Sequence, residues 1–387
     1  MKYNLSSLCE YRKGKVSIEK LNTDSYISTE NMLPNKGGIV QATSLPTTPQ
    51  TQEYKKGDVL VSNIRPYFKK IWKARFDGGC SNDVLVFKAN DDTDEDFLYY
   101  VLSNDTFFNY SMATSKGTKM PRGDKTSIMQ YEVPDFDIVV QREIASILSL
   151  FDKKIELNNK INNNLEQQAQ AIFKLWFVDF EPFGKVMPSN WFIGTVDDLA
   201  KEVVCGKTPS TKKAEYYGSD IPFITIPDMH GKIYTVTTER YLSALGSNSQ
   251  AKKSLPKNSV CVSCIGTAGL VTLVAEESQT NQQINSIIPK DGFSPYYIYL
   301  LMQTLSETIN KLGQSGSTIV NLNKSQFGKI QVTIPALSAM TKFDEIVSPI
   351  FEKILQNQKE NLNLSSLRDT LLPKLMSGEL DVSDIDF

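Results

Sequence analysis

The sequence is written twice, and the repeat constrains everything it can fold into. Phe97-Leu98-Tyr99-Tyr100-Val101-Leu102 returns 200 residues later as Tyr297-Ile298-Tyr299-Leu300-Leu301-Met302. Ser115 and Thr118 return as Ser315 and Thr318, Val133-Pro134 as Ile334-Pro335, and Lys154-Ile155 as Lys353-Ile354. A chain of two similar halves is pseudo-symmetric and suits a bipartite target. That points to recognition rather than to a single catalytic pocket.

Each half closes on a helical pattern. In the first, Ile144, Leu148, Phe151, Ile155, Asn158, Asn162, Leu165, Ala169, Ile172 and Trp176 alternate at steps of four and three. Phe343, Val347, Ile350, Ile354, Asn357, Asn361, Leu364, Arg368, Leu371 and Leu375 do the same in the second. This is an a/d seam with a paired Asn step at its middle, and both Asn positions recur 199 residues apart. Polar residues in such a seam cost stability and fix register. If the helices pack antiparallel, Asn158/Asn162 and Asn357/Asn361 meet at the centre. Pro349 and Pro373 are expected to kink or shorten the second helix, because proline removes an N–H and crowds the preceding turn.

The rest of each half is mixed. Val59-Leu60-Val61-Ser62-Asn63-Ile64 and Asp83-Val84-Leu85-Val86-Phe87 read as strands. The former parallels Val260-Cys261-Val262-Ser263-Cys264-Ile265, and Tyr26–Met32 parallels Phe223–Met229. The predicted class is α+β: two mixed domains in pseudo-twofold repeat, separated by two long helices forming an antiparallel coiled coil. The segments are 1–140 (first mixed domain), 141–180 (first spacer helix), 181–188 (a Pro/Gly linker), 189–338 (second mixed domain), 339–380 (second spacer helix) and 381–387 (acidic tail).

A formal net charge of −2 gives no global basic signature, but charge is local. Lys55, Lys56, Arg65, Lys69, Lys70, Lys73 and Arg75 crowd one segment, as a phosphate-contacting face would require. Five cysteines, an odd number, fit a reduced cytoplasmic protein better than a disulfide framework. No stretch approaches the ~20 apolar residues of a membrane helix, and the first residues lack the apolar core of a signal peptide.

Catalytic motifs fail one by one. Gly206-Lys207-Thr208 resembles the end of a phosphate-binding loop, but Lys201 stands where that motif needs glycine. Cys261-Val262-Ser263-Cys264 is a lone C-x-x-C in a strand-like run, and the chain has one histidine, His230. That disfavours zinc sites and serine triads alike. No Pro-Pro dipeptide occurs, so the signature of DNA amino-methyltransferases is absent, and Pro134-Asp135 and Pro227-Asp228 lack a following Glu-x-Lys.

What remains suits binding. The loop from Ser115 through Lys116, Gly117, Thr118 and Lys119 to Arg122 has small residues, hydroxyls and cations. Its counterpart runs from Ser315, Gly316, Ser317 and Thr318 to Asn321, Asn323 and Lys324. Small residues allow close backbone approach, Lys and hydroxyls reach phosphates, and Arg or Asn can read base edges. Asn63, Arg65, Tyr67, Lys69 and Lys70 combine donors, aromatics and charge in the same way. Asn82 in Ser81-Asn82-Asp83 and the run Asn281-Gln282-Gln283 occupy equivalent places, and Thr267 follows the second Val-x-Val-Ser strand.

Two motifs carry a family resemblance. Ala171-Ile172-Phe173-Lys174-Leu175-Trp176-Phe177-Val178-Asp179-Phe180-Glu181-Pro182-Phe183 closes the first helix, and Leu367–Leu380, with Leu372-Pro373-Lys374-Leu375-Met376-Ser377-Gly378, closes the second. Together with the layout domain, helix, domain, helix over essentially the whole chain, they resemble the specificity subunits of type I restriction–modification enzymes. The resemblance implies two target recognition domains, each reading one half of an asymmetric, interrupted site in double-stranded DNA. It also implies an antiparallel helical spacer on which two modification (methyltransferase) subunits dock. S-adenosylmethionine, ATP and Mg are then expected on those partners and on the restriction (motor/nuclease) subunits, with no cofactor, metal or catalytic residue on this chain. One departure is that the first half offers no match to Ser189-Asn190-Trp191, which leads into the second. The rival readings are a stand-alone nuclease or methyltransferase with an unrecognised site, and a coiled-coil adaptor that binds no DNA.

The first seam spans about 33 residues, roughly 50 Å at ~1.5 Å per residue, which suits half-sites about one duplex turn, ~34–36 Å, apart. Deleting four residues near Asn158 is expected to shorten the spacer by about 6 Å and the preferred gap with it.

Overall fold

The computed structural model describes residues 2–314 and 320–382. The chain divides into two compact units. One runs to Ile155 and resumes at Asn363; the other is Glu156–Leu362. The compact units therefore cut across the linear segments: each takes one mixed domain together with a stretch of both long helices.

In the first unit, an antiparallel sheet has the order Cys9–Tyr11, Val84–Ala89, Val59–Ser62, Ile71–Lys73. A second sheet has the order Lys15–Ser17, Gln50–Tyr54, Gly78–Cys80, Tyr26–Ile27, its last pair parallel. Lys2–Asn4 pairs with Glu132–Pro134. In the second unit the first sheet reappears as Ala200–Cys205, Ile284–Pro289, Val260–Ser263, Val271–Val274, extended by Tyr234–Thr235. The second sheet is Tyr217–Gly218, Arg240–Leu242, Ile221–Ile224, Gln279–Thr280. Phe192–Thr195 pairs with Gln331–Ile334 as Lys2–Asn4 does with Glu132–Pro134, so the strand that follows Ser189-Asn190-Trp191 has its counterpart in the first half.

The apolar runs read as strands are buried on both faces. Alternate residues of a strand point to opposite sides. Val59 and Val61 accordingly enter one core of the first unit, and Leu60 the other. Val260 and Val262 against Cys261 divide the same way in the second unit. Burial pushes the Cys261 and Cys264 thiols up to about 12, so both are protonated side chains filling strand cores.

The long helices are Ile138–Phe177 and Leu337–Ser377. Asp137 caps the first, its Oδ1 accepting from the N–H groups of Val139 and Val140. Gly378, at φ +71°, turns the chain out of the second. The helix passes through Pro349 and Pro373 uninterrupted, contrary to the expected shortening. Both prolines, and residues 345 and 369 whose carbonyls lose a donor, lie on exposed positions, so no buried hydrogen bond is sacrificed.

Within the second unit the helices pack antiparallel and the asparagines meet. Asn158 Nδ2 donates to Asn361 Oδ1 at 2.9 Å, and Asn357 Nδ2 donates to Asn162 Oδ1 at 2.8 Å. Asn361 Nδ2 in turn reaches Asn159 Oδ1 at 2.9 Å. Asn158 and Asn357 are 1% exposed, so a one-residue slip would strand polar groups away from water.

Each mixed domain is bolted to the first long helix by a tyrosine. Tyr100 of the Glu95–Ser103 helix donates to Asp152 Oδ2 at 2.7 Å, and Arg368 completes that group. Tyr299 of the Pro295–Thr304 helix donates to Glu166 Oε1 at 3.0 Å, where Gln303 joins. Burial, and then the neighbouring carboxylate, raises the pKa of both phenols and keeps them protonated donors.

Candidate nucleic-acid interface

In the first domain three chain segments meet where the Val59–Ser62 strand ends. Asn63 N–H donates to the Asp83 carbonyl at 2.8 Å, Arg65 N–H to the Pro121 carbonyl at 2.8 Å, and Gly123 N–H to the Asn63 carbonyl at 3.3 Å. Gly123 packs closely here: a Cβ would lie 2.7 Å from Ile128 Cδ1 and 2.9 Å from Asn63 Oδ1. Lys116 and Arg122 exchange backbone hydrogen bonds across the loop, and Gly117, at φ +92°, makes the turn between them.

This edge is strained. Of the seven non-glycine residues with left-handed backbone among those described, Asn35, Lys36, Arg65 and Lys69 are four. The Asn35 and Lys36 N–H groups donate to the Phe68 and Lys69 carbonyls, so the four share one locus. Asn63 Oδ1 and Arg65 Nε are buried without a hydrogen-bond partner among the described residues.

The structure brings together Asn63, Arg65, Lys116 and Arg122 around Asp83, next in sequence to the exposed Asn82, with Tyr67 beside them on the Pro66–Phe68 turn, exposed and 4.6 Å from the Phe68 ring. Thr118 and Lys119 are exposed on the same loop, whereas Ser115 donates its hydroxyl to the Met112 carbonyl at the end of a helix. Three cations here already face carboxylates: Arg122–Asp83 at 3.0 Å, Lys116–Asp124 at 2.6 Å and Lys69–Asp105 at 2.8 Å. The Lys116 ammonium, with the Ser127 N–H, holds the Asp124 carboxyl down at about 2. Lys70 donates to the Thr29 carbonyl at 2.6 Å. The basic run is therefore no uniform positive face, because Lys55 meets Asp77 at 3.3 Å and Lys73 meets Asp96 at 2.6 Å. Acidic residues distant in sequence fold in between the lysines.

The second domain builds the same junction from uncharged groups. Cys264 N–H donates to the Gln283 carbonyl at 2.8 Å, Gly266 N–H to the Val320 carbonyl at 3.0 Å, and Leu322 N–H to the Cys264 carbonyl at 2.9 Å. Ile265 bridges to Asn321 as Ile64 bridges to Arg122. Thr267, Gln282, Asn321 and Lys324 are exposed at this edge. Asn281 is 9% exposed, and its amide holds Gln283: Nδ2 donates to Oε1 at 3.0 Å, while Oδ1 accepts the Gln283 N–H at 3.1 Å. Asn323 caps the Lys324–Gly328 helix reciprocally with Gln326. Both side chains thus hold their own loops. The expected contacts Ser315, Gly316, Ser317 and Thr318 lie outside the described residues.

Gly206-Lys207-Thr208, set aside as a broken phosphate loop, lands on this edge. Thr208 Oγ1 donates to Gln282 Oε1 at 2.6 Å, and Lys207 N–H donates to the Thr280 carbonyl at 2.9 Å. The available signal was a Gly-Lys-Thr run directly after Val203-Val204-Cys205 at the end of a strand.

The type I restriction modification DNA specificity domain matches this sequence twice, over residues 1–167 and 188–364. The chain belongs to that family. Each match takes in one mixed domain and most of the long helix after it, so the family unit is the repeat itself. Among specificity-domain proteins, the type I restriction enzyme HindI specificity subunit of Haemophilus influenzae is 34% identical over 92% of this chain and 94% of its own length. The MjaIX specificity subunit of Methanocaldococcus jannaschii is 28% identical over 75% of this chain and 70% of its own. The crystal structure of an S subunit from M. genitalium shares the fold, with a TM-score of 0.59 at 18% identity over 97% of this chain and 96% of that one. Among the described residues no helix is long and apolar enough to cross a membrane, and no cluster of metal-ligating side chains occurs.

Proposed function

We propose that this chain is the sequence-reading subunit of a type I restriction–modification assembly, each mixed domain reading one half of an asymmetric, interrupted DNA target. The observation that carries this reading is one backbone junction built twice, with Arg122 bridged to Ile64 in one copy and Asn321 bridged to Ile265 in the other. Equivalent frames carrying different side chains are what two unlike half-sites require.

Catalysis then belongs to partners. Two modification subunits dock on the long helices and bring S-adenosylmethionine, and restriction subunits bring ATP and Mg. Flipping the target base out of the duplex is the partners' work as well. A clamp completed by partner subunits also explains a reader of net charge −2, since others share the phosphate neutralisation. The test is methyl transfer to duplex DNA by the purified chain, alone and with modification subunits. Transfer only in the combined reaction, dependent on both half-sites, supports the reading; transfer by the chain alone overturns it.

The helices act as the ruler. Because Asn158 is matched to Asn361 and Asn162 to Asn357, removing four residues from one helix would unpair the seam. Removing one heptad from each keeps the asparagines in register and shortens both by about 10 Å. The preferred gap between half-sites shrinks if the ruler holds and stays unchanged if it does not.

A further inference from the structure

The second domain keeps at its reading edge a Gly-Lys step that the first domain directs into its other sheet. In the first unit the Cys9–Tyr11 strand keeps one bond beyond Tyr11, from the Arg12 N–H to the Val86 carbonyl at 2.9 Å, and its Gly14-Lys15 then passes into the Lys15–Ser17 strand of the other sheet. The corresponding Ala200–Cys205 strand continues past Val203, paired with Ile287, to Cys205, paired with Asn285. It thereby delivers Gly206-Lys207-Thr208 to the edge where Asn281-Gln282-Gln283 turns.

That turn is built to stand still. Gly206 packs so closely that a Cβ would lie 2.1 Å from the Asn281 carbonyl oxygen and 2.2 Å from Thr280 Oγ1. The Lys207 carbonyl accepts from Gln250 Nε2 at 2.9 Å. Gln250 Nε2 also donates to Gln279 Oε1 at 2.7 Å, and Gln279 Nε2 to Ser247 Oγ at 2.8 Å. Gln250 is 7% exposed and Gln279 fully buried. A buried amide chain thus fixes the backbone of an exposed Lys207 and a half-buried Thr208. Thr280 Oγ1 and Gln250 Oε1, beside it, are buried without partners among the described residues.

The consequence falls on Gln282. Its neighbours Asn281 and Gln283 bond each other, and Gln283 Nε2 also reaches the Ile265 carbonyl at 3.4 Å. Gln282 is exposed, and the Thr208 hydroxyl occupies one lone pair of its Oε1. The second lone pair and both Nε2 hydrogens are unspent among the described residues. A carboxamide held in this way presents an acceptor and a donor side by side, the pattern that pairs with N6–H and N7 of adenine in the major groove.

We infer that Gln282 reads an adenine edge in the second half-site, with Thr208 as its positioning residue and Lys207 as a phosphate contact on the same turn. This rests on the DNA-reading function proposed above. It is tested with the chain bound to its modification subunits, by competition binding of duplexes in which each base pair of both half-sites is varied in turn. Gln282→Ala and Thr208→Val should each lose roughly tenfold discrimination at one and the same A·T pair of the second half-site. Thr208→Ser should restore it. Lys207→Ala should weaken binding to every sequence alike and reduce the salt slope by about one. Reading of the first half-site in the same molecule is the control for folding. Undiminished discrimination in Gln282→Ala, or a loss spread evenly over all positions, overturns this inference alone. A wild-type complex without any sequence preference overturns the DNA-reading function, and this inference with it.

Discussion

The two domains place different chemistry on one backbone junction. At the first, Arg122 lies against Asp83, Lys116 against Asp124 and Lys69 against Asp105, over a left-handed backbone and two unpartnered buried polar atoms. At the second, carboxamides and hydroxyls are wired to one another, and a turn peculiar to that domain supports them. On the proposed reading, DNA at the first domain displaces carboxylates, so binding there should be an ion exchange that depends on salt. The second domain presents donors and acceptors already aimed, so apart from its Lys207 contact its contribution should be specific and depend little on salt.

The comparison can be broken at several places. The largest effect is expected from Gly206→Val, which forces a side chain into the Asn281 carbonyl and costs on the order of 1–3 kcal/mol of local packing. Competition binding should show the second half-site unread and the first unaffected. Asn357→Ala acts on the frame both readers share: it removes the donor to Asn162 and leaves a buried oxygen unpaired, at about 1–3 kcal/mol in chemical denaturation. Replacing Asn162 and Asn357 together by Leu should recover that loss while relaxing the register.

Arg122→Ala and Asn321→Ala exchange equivalent residues and separate the two chemistries most cleanly. The first should weaken binding about tenfold and lower the salt slope by about one; the second should leave the slope unchanged. Equal slopes would remove the distinction. Smallest is Asp83→Asn, which releases Arg122 and should tighten non-specific binding by roughly twofold at low salt, a surface ion pair being worth little. Weaker binding would show that Asp83 positions the arginine rather than competing with phosphate.

Much of the frame was legible because periodicity survives divergence. The a/d steps and the twin asparagines gave the antiparallel seam, and the Val-x-Val-Ser runs gave the central strands. The prolines misled as to length: Pro349 and Pro373 do not end the helix, because the carbonyls that lose a donor, at 345 and 369, are exposed. The candidate site was legible only in part. Asn63, Arg65 and Arg122 were found from residue type, but nothing local shows that Asp83 and Asp105 would neutralise a basic run. Nor can residue type distinguish an asparagine that caps a helix, Asn323, from one that faces outward, Asn321. Thr208 was passed over because its partner Gln282 is 74 residues away.

The account's central claim is two different readers on one duplicated frame. Mapping methylated adenines in DNA from cells carrying the complete system tests it most directly. The account predicts one interrupted motif whose two halves differ in sequence and are separated by a fixed gap. A palindromic motif, or a single uninterrupted one, would contradict it.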